Sequence, residues 1–91
     1  MPRVHFTRHL KRFFPDLEES FETEGKSVAE LVRAVDRRHP GLGAYLVDER
    51  GSLRNPVLVF IGGDQIEDRA ALTDPVGERD EVHFLQSLSG G

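Results

Sequence analysis

The chain has 91 residues, 37% hydrophobic and 31% charged, with a formal net charge of −4 and neither Cys nor Trp. A chain this short folds as one domain around one core, and without Cys it has no disulfide, no iron–sulfur cluster, no thiolate-held zinc and no thiol nucleophile. The 16 acidic side chains against 12 basic ones argue against the cationic groove of a nucleic-acid binder. The longest apolar run, Val57-Leu58-Val59-Phe60-Ile61, falls far short of the ~20 residues a bilayer span needs. The start, Met1-Pro2-Arg3-Val4-His5-Phe6, has no apolar signal stretch, so the expected compartment is the cytoplasm, with neither nucleic acid nor membrane as partner.

Residues 3–8 alternate, Val4 and Phe6 on one side and Arg3, His5 and Thr7 on the other, which predicts a first strand. Pro15 interrupts it. Leu17, Glu19, Phe21 and Thr23 then alternate with Glu18, Ser20, Glu22 and Glu24 up to Gly25, predicting a second strand antiparallel to the first. Ser27-Val28-Ala29-Glu30 is a capping box, in which Ser27 accepts from the Glu30 N–H and the Glu30 side chain returns to the Ser27 N–H. In the helix that follows, Val28, Leu31, Val32 and Val35 make one apolar stripe, with Glu30, Arg33, Arg37 and Arg38 facing away. His39-Pro40-Gly41 ends it.

Residues 45–47 read as a short strand, and Asp48-Glu49-Arg50-Gly51-Ser52 as a turn. The β-branched and aromatic run from Val57 to Ile61 predicts a buried strand, after which Gly62-Gly63-Asp64 turns the chain back into a short segment at Gln65 and Ile66. Residues 70–72 suit one helical turn. Residues 81–85 alternate as a last strand, followed by Gln86-Ser87-Leu88-Ser89-Gly90-Gly91, small and polar apart from Leu88. The order predicts an α+β fold, a mixed sheet with one main helix on one face.

This element order, with Gly90-Gly91 at the end, resembles the ubiquitin-like β-grasp sulfur carriers, the family of the molybdopterin synthase small subunit and the thiamine-biosynthesis sulfur carrier. The most specific stretch is Val59-Phe60-Ile61-Gly62-Gly63-Asp64-Gln65-Ile66, similar to the family's "V-N-G-E" strand and turn. Arg79-Asp80-Glu81-Val82 is similar to its "D-G-D-E-V". Three segments depart from the pattern. Residues 11–15, with Phe13 and Phe14 adjacent, replace a small-residue and "R-E" stretch; Ile61-Gly62-Gly63 replaces Val-Asn-Gly; and Leu85-Gln86-Ser87-Leu88 replaces a proline-containing one. The resemblance implies a β-grasp domain over residues 1–85 and a flexible tail over 86–91.

It also implies the chemistry. An E1-like adenylyltransferase would use ATP, which this chain does not bind, to adenylate the Gly91 carboxylate. A persulfide sulfur donor would then convert it to a thiocarboxylate, and a sulfur-accepting synthase would take the sulfur. Molybdopterin is the first acceptor implied, with cysteine or another sulfur metabolite next. The chain would be a protein co-substrate and not an enzyme. At an average Gly usage of ~7%, two terminal glycines arise by chance in about 1 of 200 chains, so the diglycine takes its weight from the element order before it. Without Cβ atoms, Gly90 and Gly91 can thread a narrow channel, and the six residues from Gln86 span at most ~20 Å. The same activated terminus suits a ubiquitin-like modifier joined to lysine through Gly91, and the fold alone suits a plain interaction module.

For partner contact the candidates are Leu88, Leu85, Phe60 and Phe84, although the core is the better reading for Phe60 and Phe84, and Leu88, beyond the last strand, is the better contact. His5 and His83 are expected side by side on the open sheet face, with no third ligand at metal-site spacing, so no metal is expected. Asp64, Glu67 and Asp68 form an acidic cluster suited to steering a basic partner. No Ser-His-Asp arrangement and no glycine-rich phosphate loop are present.

Overall fold

The computed structural model describes residues 1–86. They form β1 (Arg3–Phe6), a 3₁₀ helix (Arg8–Arg12), β2 (Ser20–Glu22), α1 (Val28–Arg38), α2 (Leu42–Leu46), β3 (Val57–Ile61), β4 (Asp64–Gln65) and β5 (Glu81–Gln86). The strands make a sheet in the order β2-β1-β5-β3-β4. β5 lies at its centre, parallel to β1 and antiparallel to β3.

Alternation decides which side chains enter the core. Val4, Phe6, Phe21, Val57, Val59, Val82 and Phe84 point from the sheet to the helix side, where they meet Val28, Leu31, Val32 and Val35 of α1, and all of these are buried. The ring of Phe6 stacks between its neighbours, 5.1 Å from Phe84 and 5.9 Å from Phe21. The predicted stripe of α1 is therefore its buried face. Ser27 caps the helix as expected, accepting from the Glu30 N–H at 3.2 Å. The return half of the box differs: the Glu30 carboxylate accepts from the Lys26 N–H at 2.9 Å, not from Ser27. The reason lies in the segment before the helix, where Ser27 bridges Pro75 and the backbone is paired on both sides of it, Val28 N–H to Asp74 and Val76 N–H to Lys26.

Three sequence expectations change. The first strand, expected over residues 3–8, ends at Phe6, and Arg8–Arg12, where no helix is expected, form the 3₁₀ helix, which plugs the core with Leu10. The second strand is shorter than expected, and Leu17 is buried from a turn ahead of it. The strand expected at residues 45–47 is α2, and only Val47 pairs, in an isolated bridge to Leu53. What forms this helix is tertiary: Gly41 takes a left-handed φ of 100°, and the Asp36 carboxylate accepts from the N–H groups of Gly41 (3.1 Å) and Gly43 (2.9 Å), satisfying donors that a helix start leaves open. Leu42 and Leu46 then pack against the core. The Gly62 turn, φ 60°, joins β3 to β4 as expected.

The segment between β4 and β5 is held by two carboxylates. Asp74 accepts from the N–H groups of Glu67 and Asp68. Asp68 accepts in turn from the Ala71, Thr73 and Ala70 N–H groups and from the Thr73 hydroxyl. This closes the expected turn at residues 70–72 with the Leu72 N–H on the Asp68 carbonyl, and it fixes Leu72 at φ 56° with its side chain 1% exposed. The Ala71 N–H above all, then the Thr73 hydroxyl and N–H, hold the Asp68 carboxyl at about 2, below its ordinary 3.8. A folded-state value below the unfolded one stabilises the fold above the unfolded value and is lost as pH falls through the folded one. Thermal melts should therefore show the intact protein losing stability between about pH 4 and pH 2 more steeply than Asp68→Ala, which should melt lower at pH 7.

Candidate functional site

The site is the end of β5. The strand is bonded along both edges: Val4, His5 and Phe6 lie opposite Val82, His83 and Phe84, and Val57, Leu58 and Val59 lie opposite Gln86, Leu85 and Phe84. Gln86, expected to begin the tail, is thus paired in β5, opposite Val57. Its side-chain amide donates to the Tyr45 hydroxyl at 3.2 Å. Leu10, Tyr45, Leu46 and Val57 surround the same end of the strand. The terminal segment is therefore rooted in the most firmly paired strand, between the 3₁₀ helix and α2. Leu88, Gly90 and Gly91 lie outside the described residues.

Of the other contact candidates, the structure separates two from one. Leu85 and Phe60 are half-buried on the open face, where Leu58 lies opposite Leu85 and Phe60 opposite His83. The core assignment for Phe60 therefore does not hold: in β3 it is Val57 and Val59 that face inward. Phe84 is corrected in the other direction. It is 1% exposed and stacked on Phe6, so no partner can reach it without unfolding the sheet.

His5 and His83 do meet on the open face, their rings stacked 4.4 Å apart and 13° from parallel, with His5 Nε2 2.5 Å from the Glu81 carboxylate. Among the described residues no three His, Cys, Asp or Glu side chains converge in a way that would hold a metal ion. The acidic cluster is also divided, since Asp68 spends its oxygens on the turn between β4 and β5 while Asp64 lies in β4.

Sequence reading missed the aromatic group beside the strand end. Phe13, 57% exposed, lies 5.5 Å from the Tyr45 ring, and Phe14 meets the same ring edge-on at 6.1 Å. The signal was the Phe13-Phe14 doublet in a charged segment, but Tyr45 comes to it only through α2.

A mixed sheet gripping one main helix, with its central strand leading into the chain end, defines a ubiquitin-like β-grasp protein. The sequence model of the ThiS family matches residues 4–91, and the chain belongs to that family of small sulfur carriers, proteins that are not themselves enzymes. Solved structures agree. A chain of the Amycolatopsis orientalis BexX/CysO complex is 26% identical, with a TM-score of 0.85 and 100% of each chain covered. CysO of Mycobacterium tuberculosis is 16% identical, with a TM-score of 0.84, 97% of this chain and 100% of that one covered. SAMP1 of Haloferax volcanii is 18% identical, with a TM-score of 0.75 and 99% and 98% covered. No curated protein matches the chain.

The two roles of β5 residues can be told apart by stability. Phe84→Ala should cost about 3–5 kcal/mol in denaturant unfolding, the loss typical of a buried aromatic, whereas Leu85→Ala on the open face should cost less than half as much.

Proposed function

We propose that the chain is a sulfur carrier whose Gly91 carboxylate is the reacting group. A carboxylate is a poor electrophile, because attack must displace oxide from an electron-rich carbon. An E1-like adenylyltransferase removes that barrier: a carboxylate oxygen attacks the α-phosphorus of ATP, pyrophosphate leaves, and the Gly91 carbonyl becomes an acyl-adenylate. A persulfide donor attacks this carbonyl, AMP leaves, and a second thiol cleaves the resulting S–S bond to free the thiocarboxylate. A sulfur-accepting synthase then takes the sulfur.

The observation that carries this reading is the position of β5. The central strand, paired on both edges as far as Phe84 and on the β3 edge to Gln86, leaves five residues to Gly91, so the body acts as a handle for a short terminal arm. The absence of Cys supports it, since no thiol of the chain competes for the activated carbonyl. For the acceptor, molybdopterin synthesis is one candidate among sulfur-dependent pathways. The similarity to CysO chains favours a different sulfur-metabolite synthase over it. No helix among the described residues is long and apolar enough to cross a membrane, and the proposed exchange is cytoplasmic.

Intact-mass measurement of the protein from its native cells should show a form in which one sulfur replaces one oxygen at Gly91, and a chain lacking Gly90 and Gly91 should show none. High-mass adducts on lysines of other proteins, lost with Gly91, would instead assign a modifier. If the shortened chain supported sulfur-dependent growth as well as the intact one, the reading would fail.

A further inference from the structure

Among the described residues Phe13 and Met1 are the exposed large apolar side chains, and Phe13 is the one held in place. Its ring packs 5.5 Å from Tyr45 and edge-on to His9 at 6.4 Å, while the Tyr45 hydroxyl accepts from the Gln86 amide at the root of the terminal segment. An exposed aromatic fixed relative to the departing chain is an unsatisfied surface.

The charge around it is predominantly cationic, although Asp16 lines the same recess as Phe13. Lys11 and Arg12 are exposed on the 3₁₀ helix and take part in no ion pair among the described residues, whereas Arg8 and Arg38 are balanced by Glu19 and Glu18. Arg54 is pinned beside Tyr45, its guanidinium donating to the Ala44 and Val47 carbonyls. The chain as a whole carries −4, and β5 begins at the opposite end among Glu78, Asp80 and Glu81. The sheet's central strand thus runs from an acidic end to a cationic one.

We propose that this aromatic and cationic collar is the docking surface for the adenylating protein that receives the terminal segment, and that the mouth of that partner is acidic with an apolar recess for Phe13. The inference rests on the sulfur-carrier reading and deepens it. Ser87, Ser89, Gly90 and Gly91 offer a partner backbone and Leu88 a single apolar side chain, so most of the orientation has to come from the body. A rigid aromatic anchor supplies buried contact, and complementary charge steers the encounter and fixes its register.

The test is ATP-dependent pyrophosphate release by the adenylating enzyme that loads the wild-type chain. Phe13→Ala and the pair Lys11→Glu with Arg12→Glu should each raise the KM for the carrier about tenfold with kcat within about twofold, and the charge effect should shrink as ionic strength rises. Glu78→Lys, at the far end, should leave both constants unchanged. Because these side chains are exposed, unchanged melting temperatures should confirm that the variants fold. An unaltered KM in a system that loads the wild type would overturn the collar and leave the carrier reading standing. A wild-type chain that is adenylated by no enzyme removes both. A dimer dissolved by Phe13→Ala, with KM unaltered, would overturn the proposal by assigning the surface to a second copy.

Discussion

The pairing of β5 on both edges is the constraint on which the molecule depends. A strand with neighbours on each side has its backbone donors and acceptors committed, and in β5 the commitment runs to Phe84 on the β1 edge and on to Gln86 on the β3 edge. Period-two alternation then divides the labour: Val82 and Phe84 face α1 and build the core, while His83 and Leu85 face outward. A shift of one residue in register would bury a histidine and expose Phe84, so the core enforces the point at which the chain leaves the sheet. Under the proposed function, the hydrophobic core is also the device that sets where the terminal segment leaves the sheet.

The elements legible in the sequence were those whose residues alone decide their structure. The alternation of Val4 and Phe6, the stripe of Val28, Leu31, Val32 and Val35, and the run from Val57 to Ile61 each bury a periodic face. The elements not legible depend on distant partners. α2 contains Gly43 and spans a single short stretch, Leu42–Leu46, a weak helix by propensity. It forms because Asp36, on α1, supplies its N-terminal acceptor and because Leu42 and Leu46 find the core. The 3₁₀ helix shows one apolar residue, Leu10, among Arg8, His9, Lys11 and Arg12, too little to mark a period.

The same distinction explains the site. The family resemblance names Gly90 and Gly91 from the sequence alone, and both lie outside the described residues. Phe60 and Phe84 could not be sorted by residue type, since both are aromatic in strands; only the parity of each strand relative to the helix puts one outside and the other in. The aromatic group of Phe13, Phe14 and Tyr45 unites residues some thirty positions apart, and it exists because the 3₁₀ helix and α2 close over the same end of the sheet.

Leu72 shows how such a small fold accommodates strain. A bulky residue at positive φ costs about 1–3 kcal/mol, a range matched by the roughly 1.5–3 kcal/mol from burying its side chain. The conformation persists because Asp74 and Asp68 collect the N–H groups of Glu67, Asp68, Ala70, Ala71 and Thr73. The acids in this segment serve the loop that delivers the chain into β5. That use of carboxylates as backbone acceptors accounts for part of the acidic excess and leaves the cationic end of β5 as the feature that the fold itself does not require.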